Sequence, residues 1–179
     1  MPLENSKIQE IVTGRFGEVV KNFTESYGML TFEVERGKVI ELMKFLSEDE
    51  TLRFNFLTTL CGVHYPDNNL ESQFAVVYHM HNWLDNVRVR FKTYLNGENP
   101  EVETATNLFL GANWMEREAY DFYGIIFTGH PDLRRILNMD DMVSFPMRKE
   151  FPLEDGTRTD KDDRYFGREP MNQDEIGRQ

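Results

Sequence analysis

Apolar residues recur at helical spacing along residues 4–23 (Ile8, Ile11, Val12, Phe16, Val19) and predict a first helix, although Gly14 and Gly17 weaken the pattern. The period then changes. Leu30, Phe32 and Val34 alternate with polar neighbours, which predicts a strand. Val39, Leu42, Met43 and Leu46 return to helical spacing. Leu52, Phe54 and Phe56 alternate again, ahead of a turn at residues 66–69. Two clearer strands follow, FAVVYHMHNW and VRVRFKTYL, joined at Leu84-Asp85-Asn86. In the second, Val87, Val89 and Phe91 face one way and Arg88, Arg90 and Lys92 the other, as in an antiparallel pair with one wet face. The segment NGENPEV reads as a linker to a helix over residues 105–123, ended by Gly124. The order α-β-α-β-β-β-α predicts an α/β (α+β) sandwich: one mixed or antiparallel four-stranded sheet with about three helices, packed on one face.

Past Pro131 the pattern fails. Four of the seven prolines lie from there onward, and apolar residues thin out with no period of 2 or 3.6. Such a segment cannot bury enough surface to order itself. Its apolar residues are nevertheless large and spaced, as in SFPMRKEFPL and DRYFGREPM, where a plain linker would be richer in Gly and Ser. The expectation is a globular domain over residues 1–130 and an extended arm, residues 131–179, lying along a partner.

Composition narrows the possibilities. With 40% hydrophobic residues among 179, the chain can build one core. Its single cysteine, Cys61, excludes an internal disulfide and a cysteine-ligated zinc or iron–sulfur site within the chain, and points to a reducing compartment. No apolar run is long enough to span a membrane, and MPLENSKIQE has no apolar signal core, so export is not expected. The net charge of −11 argues against nucleic acid or anionic lipid as a direct partner.

Candidate chemistry is sparse. His79 and His81 share one side of a strand and, with Glu116 or Glu118, suggest a hydrolytic metal site. Any strand residues at i and i+2 share a face, however, so two histidines on a half-exposed sheet are the plainer reading. Cys61 lies in an apolar segment, as buried free cysteines do. Phosphate loops and nucleophile elbows are not found. The densest cluster of charges is WMEREAYDFYGIIFTGHPDLRRIL, residues 114–137. On a helix, Glu116 falls in the middle of an aromatic face with Ala112, Ala119, Tyr120 and Tyr123, while Trp114, Arg117, Glu118 and Asp121 fall opposite. Glu116 and Glu118 therefore diverge and cannot flank one substrate as acid and base. A carboxylate among aromatics needs a donor: Arg134, Arg135, a tyrosine hydroxyl or a residue from another protein chain. Arg117 and Asp121, at i and i+4, are placed to pair on the outer face.

This stretch resembles the signature of the 30-kDa (C-type) subunit family of respiratory complex I, the proton-pumping NADH:quinone oxidoreductase. Glu116-Arg117-Glu118, Asp121, Phe122-Tyr123, His130, Arg134 and Ile136-Leu137 fill the family motif without a gap. GHPDLRRIL, FPMRKEFPL, LRFNFLTTLCGVHYP and the VVYHMHN…NVRVR hairpin extend the resemblance over most of the chain. It implies a scaffold subunit of the peripheral arm with no catalytic, cofactor-binding or metal-binding residue of its own. Electrons would pass from NADH through FMN and Fe–S clusters on other subunits to quinone, coupled to proton translocation. The implied partner is the 49-kDa-type subunit, and the implied location is the cytoplasmic side of the cell membrane, held there through the complex. Glu116, Arg117, Glu118, Asp121, His130, Arg134 and Arg135 are carried over as structural and subunit-contact residues, with His130 equally readable as a satisfied turn histidine before Pro131. Two alternatives stand beside this: the equivalent subunit of a ferredoxin- or F420H2-dependent dehydrogenase or membrane-bound hydrogenase, and a stand-alone hydrolase with a metal on His79 and His81.

Overall fold

The computed structural model describes residues 3–151. Helix α1 (Asn5–Phe16) stops where Gly17 takes a positive φ of 57°, a conformation that costs glycine least. The chain then enters strand β1 (Val20–Ser26), which turns at Tyr27-Gly28 into β2 (Met29–Val34). Helix α2 (Val39–Glu48) follows, burying Val39, Leu42, Met43 and Leu46. Next come β3 (Phe56–His64), β4 (Phe74–Asn82) and β5 (Val87–Leu95). A short strand β6 (Glu101–Glu103) precedes helix α3 (Ala112–Tyr123), and β7 (Ile126–Thr128) pairs back onto β6 in parallel.

The main sheet has five strands in the order β1-β2-β5-β4-β3, one more than the hydrophobic pattern predicts. Its pairs are antiparallel except the central seam, where β2 and β5 run parallel. The extra strand is β1, which begins where the helical pattern of residues 4–23 was expected to continue. As an edge strand it buries only Val20, and a register shift between Lys21 and Thr24 breaks its alternation, so no period of 2 was there to read. Two other boundaries move. Residues 105–111 form turns rather than the start of α3, and Phe56 lies exposed on the open face while Leu52 and Phe54 are buried ahead of β3.

One face of the sheet carries the core. Leu30 and Phe32 of β2, Val89, Phe91 and Leu95 of β5, and Phe74, Val76, Tyr78 and Met80 of β4 meet the buried faces of α1, α2 and α3 in one cluster. Phe91 stacks between Phe32 and Tyr78 at 5.7 and 5.1 Å. Each such side chain, fully buried, stabilises the fold by about 1.5–3 kcal/mol. The helix α3 sits so close to β3 that a Cβ on Gly62 would stand 2.7 Å from Tyr123 Cδ2. That leaves the charged helix against the core and its far side toward the residues that follow Pro131.

Candidate functional site

Helix α3 gathers the charged residues, and its two sides are handled differently. On the core side Glu116 is fully buried. Its Oε2 accepts from the Thr104 hydroxyl at 2.5 Å and its Oε1 from the Ala105 N–H at 2.7 Å. None of the expected donors, Arg134, Arg135 or a tyrosine hydroxyl, answers it; the segment just after β6 does. Burial pushes the Glu116 carboxyl up to about 7, against the Thr104 and Ala105 hydrogen bonds that lower it. The Thr104 oxygen is itself 2.9 Å from the Thr106 hydroxyl, so the chain of hydroxyls can serve Glu116 in either protonation state. The His130 ring packs 4.0 Å away and is equally buried. Its Nε2 reaches the Asn113 carbonyl at 3.2 Å and its Nδ1 accepts from the Asp132 N–H at 3.0 Å, which places the ring proton on Nε2. Both nitrogens are occupied, as in a satisfied turn histidine.

The opposite side is not a wet face. Asp121 is fully buried and Arg117 nearly so, because residues 131–151 fold back over them. The expected Arg117–Asp121 pair does not form; each residue finds better partners in the returning segment. Arg117 donates to the carbonyls of Arg134 and Arg135 at 3.1 and 3.0 Å and covers the Trp114 ring. Asp121 Oδ2 accepts the N–H groups of Ile136, Leu137 and Asn138 at 2.8–3.1 Å, while Oδ1 accepts from Arg135 at 2.7 Å and the Asn138 amide at 3.0 Å. Burial alone would raise the Asp121 carboxyl, but the Asn138 and Leu137 N–H groups, Arg135 and the Asn138 side chain hold it well below the usual carboxylate range.

The same segment closes the end of α3. A helix leaves its last four carbonyls without intrahelical partners. Here Tyr120 O accepts from Gly124 N–H, Asp121 O from Arg135, Phe122 O from Met147 N–H and Tyr123 O from Arg148. Two guanidiniums thus sit at the negative end of the helix dipole. Arg135 also donates to Met142 O and Ser144 O, and Arg148 lies over the Phe74 and Phe145 rings. Lys149 N–H donates to His64 Nδ1. Arg134 and Glu118, by contrast, point outward, Arg134 pairing with Asp132 at 2.9 Å. Exposed apolar side chains, Leu110, Trp114, Leu137 and Val143, stand around this closure.

The residues named from sequence therefore converge on α3; missing from them are the partners Thr104, Ala105 and Asn138, and Arg148, which caps the Tyr123 carbonyl. Only Arg148 carried a hint, as part of FPMRKEFPL; a threonine hydroxyl and backbone N–H groups leave no mark in a sequence. The proposed metal set does not assemble. His79 and His81 lie on the open face of the sheet and Glu116 under the core face, so the sheet separates them. His81 is held by Asn86 at 3.1 Å, and the described residues contain no group of three metal-ligating side chains. Cys61, expected among buried residues, is exposed on β3 because it alternates with the core-facing Leu60 and Gly62; partial desolvation, and then Glu118, push its thiol up, which disfavours a reactive thiolate.

Comparison with known proteins gives a consistent result. The model of the family described as respiratory-chain NADH dehydrogenase, 30 Kd subunit, matches residues 32–157. The second of the C-type NADH-quinone oxidoreductase subunits of Rhizobium meliloti is 45% identical over 143 residues, 79% of this chain and 76% of the relative. The C-type NADH-quinone oxidoreductase subunit of Roseiflexus sp. is 38% identical over 173 residues, 96% of this chain and 98% of the relative. Among solved structures, a trypsin-resistant fragment (1–134) of Nqo5 is 32% identical with a TM-score of 0.58, covering 72% of this chain and 98% of that one. A chain of the archaeal membrane-bound sulfane sulfur reductase, 20% identical with a TM-score of 0.69 over 83% of this chain and 85% of that one, shares the fold.

Proposed function

The chain belongs to the respiratory-chain NADH dehydrogenase 30-kDa subunit family, and from that premise we propose that it is a scaffold subunit of NADH:quinone oxidoreductase that carries no redox cofactor itself. It is part of the peripheral arm of that enzyme, in which electrons move from NADH through FMN and Fe–S clusters on other subunits to quinone. The relatives' shared name favours this assignment over a ferredoxin- or F420H2-dependent complex. Its membrane association runs through the complex, on the cytoplasmic side; among the described residues no helix is long and apolar enough to cross a membrane.

The observation that carries the scaffold reading is Asp121. In a catalytic acid at least one lone pair faces a substrate; here five donors occupy a carboxylate that is fully buried. Arg117, Asp121, Glu116, His130 and Arg135 act by setting the shape of α3 and the returning segment. Glu118 and Arg134, with the exposed Leu110, Trp114, Leu137 and Val143, supply the surface that meets a neighbour, for which the 49-kDa-type subunit is our assignment. We read residues 1–130 as the globular unit and residues 131–179 as the arm, whose first part is spent on α3.

Deleting the gene and restoring it with a tagged copy tests the function. The expected result is that membranes lacking the chain lose NADH:quinone reductase activity and that the tagged chain brings down other subunits of the oxidoreductase. Wild-type turnover without the chain, or a tagged chain recovered alone, would overturn the reading.

A further inference from the structure

The five-stranded sheet is covered on one face only. On the other, the pairing register aligns three rows across the strands. Lys21, Glu33, Lys92 and Val77 form one; Thr24, Thr31, Arg90, His79 and Thr59 the next; the third has Ser26 opposite Met29 and, beyond the last β2–β5 pair, Arg88 opposite His81 and Phe56. This face runs against the charge of the molecule. The chain carries −11 overall, yet within these rows Lys21, Arg88, Arg90 and Lys92 meet a single carboxylate, Glu33. Glu33 is already engaged by Lys92 at 3.2 Å and by the Asn22 amide at 2.7 Å. Arg90 is steadied by Thr31 at 3.1 Å, and neither Arg90 nor Arg88 has an ion-pair partner among the described residues.

Two further features favour an occupant. His79 Nδ1 is buried and makes no hydrogen bond, a condition that costs free energy until a partner arrives. A cleft of about 870 Å³ crosses the lower part of the face, with His79, Arg88, Thr59 and Met29 in its wall and the fully exposed Tyr27 at its mouth. Glu4 and Glu25 also line it; Arg88 is its cation, and His79, whose charged form burial and then Arg90 disfavour, offers a neutral ring nitrogen.

We propose that this open sheet face docks an acidic polypeptide segment of a neighbouring subunit, whose carboxylates pair with Arg88 and Arg90. Charge complementarity selects the occupant. A nucleic acid or an anionic membrane extends well beyond a patch this size and would meet the repulsion of the remaining acidic surface. A discrete acidic segment confronts the basic face alone. Tyr27 and the cleft give it an aromatic edge, in keeping with how interfaces combine aromatic anchors with paired charges.

The proposal rests on the chain being a subunit of the oxidoreductase, and its test separates the two. A benzophenone-bearing phenylalanine in place of Tyr27, in the full chain within the assembled complex, is activated by light and the adduct mapped by mass spectrometry. The expected adduct lies on an Asp/Glu-rich segment of another subunit. The pair Arg88→Glu and Arg90→Glu should lower recovery of the chain with the complex by about tenfold or more, with the melting temperature of the purified full chain unchanged. Neutral Arg88→Gln and Arg90→Gln should lose less. An adduct on lipid, on residues 152–179 of this chain, on a second copy or on a non-acidic segment would overturn the proposal, as would normal assembly of the charge-reversed chain. If the wild-type chain joins the complex but gives no acidic adduct, only the docking face is wrong. If it joins no oxidoreductase at all, both readings fall.

Discussion

Replacing Glu116 by Gln isolates what burial does to one acid. The change keeps shape and hydrogen bonding: the amide oxygen accepts from the Ala105 N–H, and the amide nitrogen donates to the Thr104 oxygen, which can turn its own hydrogen to Thr106. What disappears is the charge. In the folded chain the Glu116 carboxyl titrates at about 7 rather than the ordinary 4.5, so below about 4.5 it is neutral in both folded and unfolded states and adds no penalty. As pH rises from there, ionisation becomes easier in the unfolded chain, and folding stability falls until the folded group also ionises near 7. That interval corresponds to about 3 kcal/mol, a sizeable part of the roughly 5–15 kcal/mol that holds a domain together. Urea unfolding of the full chain followed by circular dichroism, with wild type and Glu116→Gln compared at each pH, gives the quantity directly. The difference should be near zero at pH 4, grow through pH 5–7 and level off above, with the variant the more stable. A difference that stays flat with pH, or a variant less stable at pH 8, would show that burial does not disfavour the Glu116 charge. It would mean that the Thr104 and Ala105 donors outweigh desolvation.

Asp121→Asn tests the other acid, where partners win over burial. It sets an amide NH₂ against donors and leaves Arg135 buried without its counter-charge, at a cost of about 3–5 kcal/mol. A thermal melt should show this as a loss of roughly 10 °C. Because the Asp121 pKa is depressed, its contribution is present above the unfolded value near 4 and lost as pH falls below it, opposite in sense to Glu116. Two truncations divide the arm. Ending the chain at Phe151 should leave the melting temperature within about 1 °C but abolish recovery with the complex. Ending it at Leu137 removes Asn138 and the Met142 and Ser144 carbonyls, and should lower stability by about 3 kcal/mol or more; equal stability of the two would refute the role of residues 138–151.

Legibility followed how each residue is held. Strands β2, β4 and β5 were plain because their alternation between Leu30 and Leu95 records a sheet with one covered face. The edge strand β1 was invisible, since its bulge and its Lys, Asn and Thr residues suppress that alternation. Helical geometry correctly put Glu116 inside. It put Arg117 and Asp121 outside because a helical projection has no knowledge of the chain that returns over it. The partners of Glu116 and Asp121 are mostly backbone N–H groups, which every residue but proline possesses, so no residue type could betray them.

The parallel seam between β2 and β5 has a consequence for synthesis of the chain. Everything on either side of it is local: a tight hairpin, β1 with β2, and a meander, β3 to β5. The seam itself joins residues 59 apart, as in Thr31 with Arg90. Closing a loop of that length costs about 3–4 kcal/mol before any contact compensates. During translation, β2 leaves the ribosome with one edge paired to β1 and the other bare, and it waits for β5. At bacterial or eukaryotic elongation rates the wait is roughly 3–12 s. For that time a strand bearing Leu30, Phe32 and Val34 presents an open hydrogen-bonding edge. Until β5 arrives, that bare edge is a template on which another nascent chain can pair, a hazard the finished seam removes.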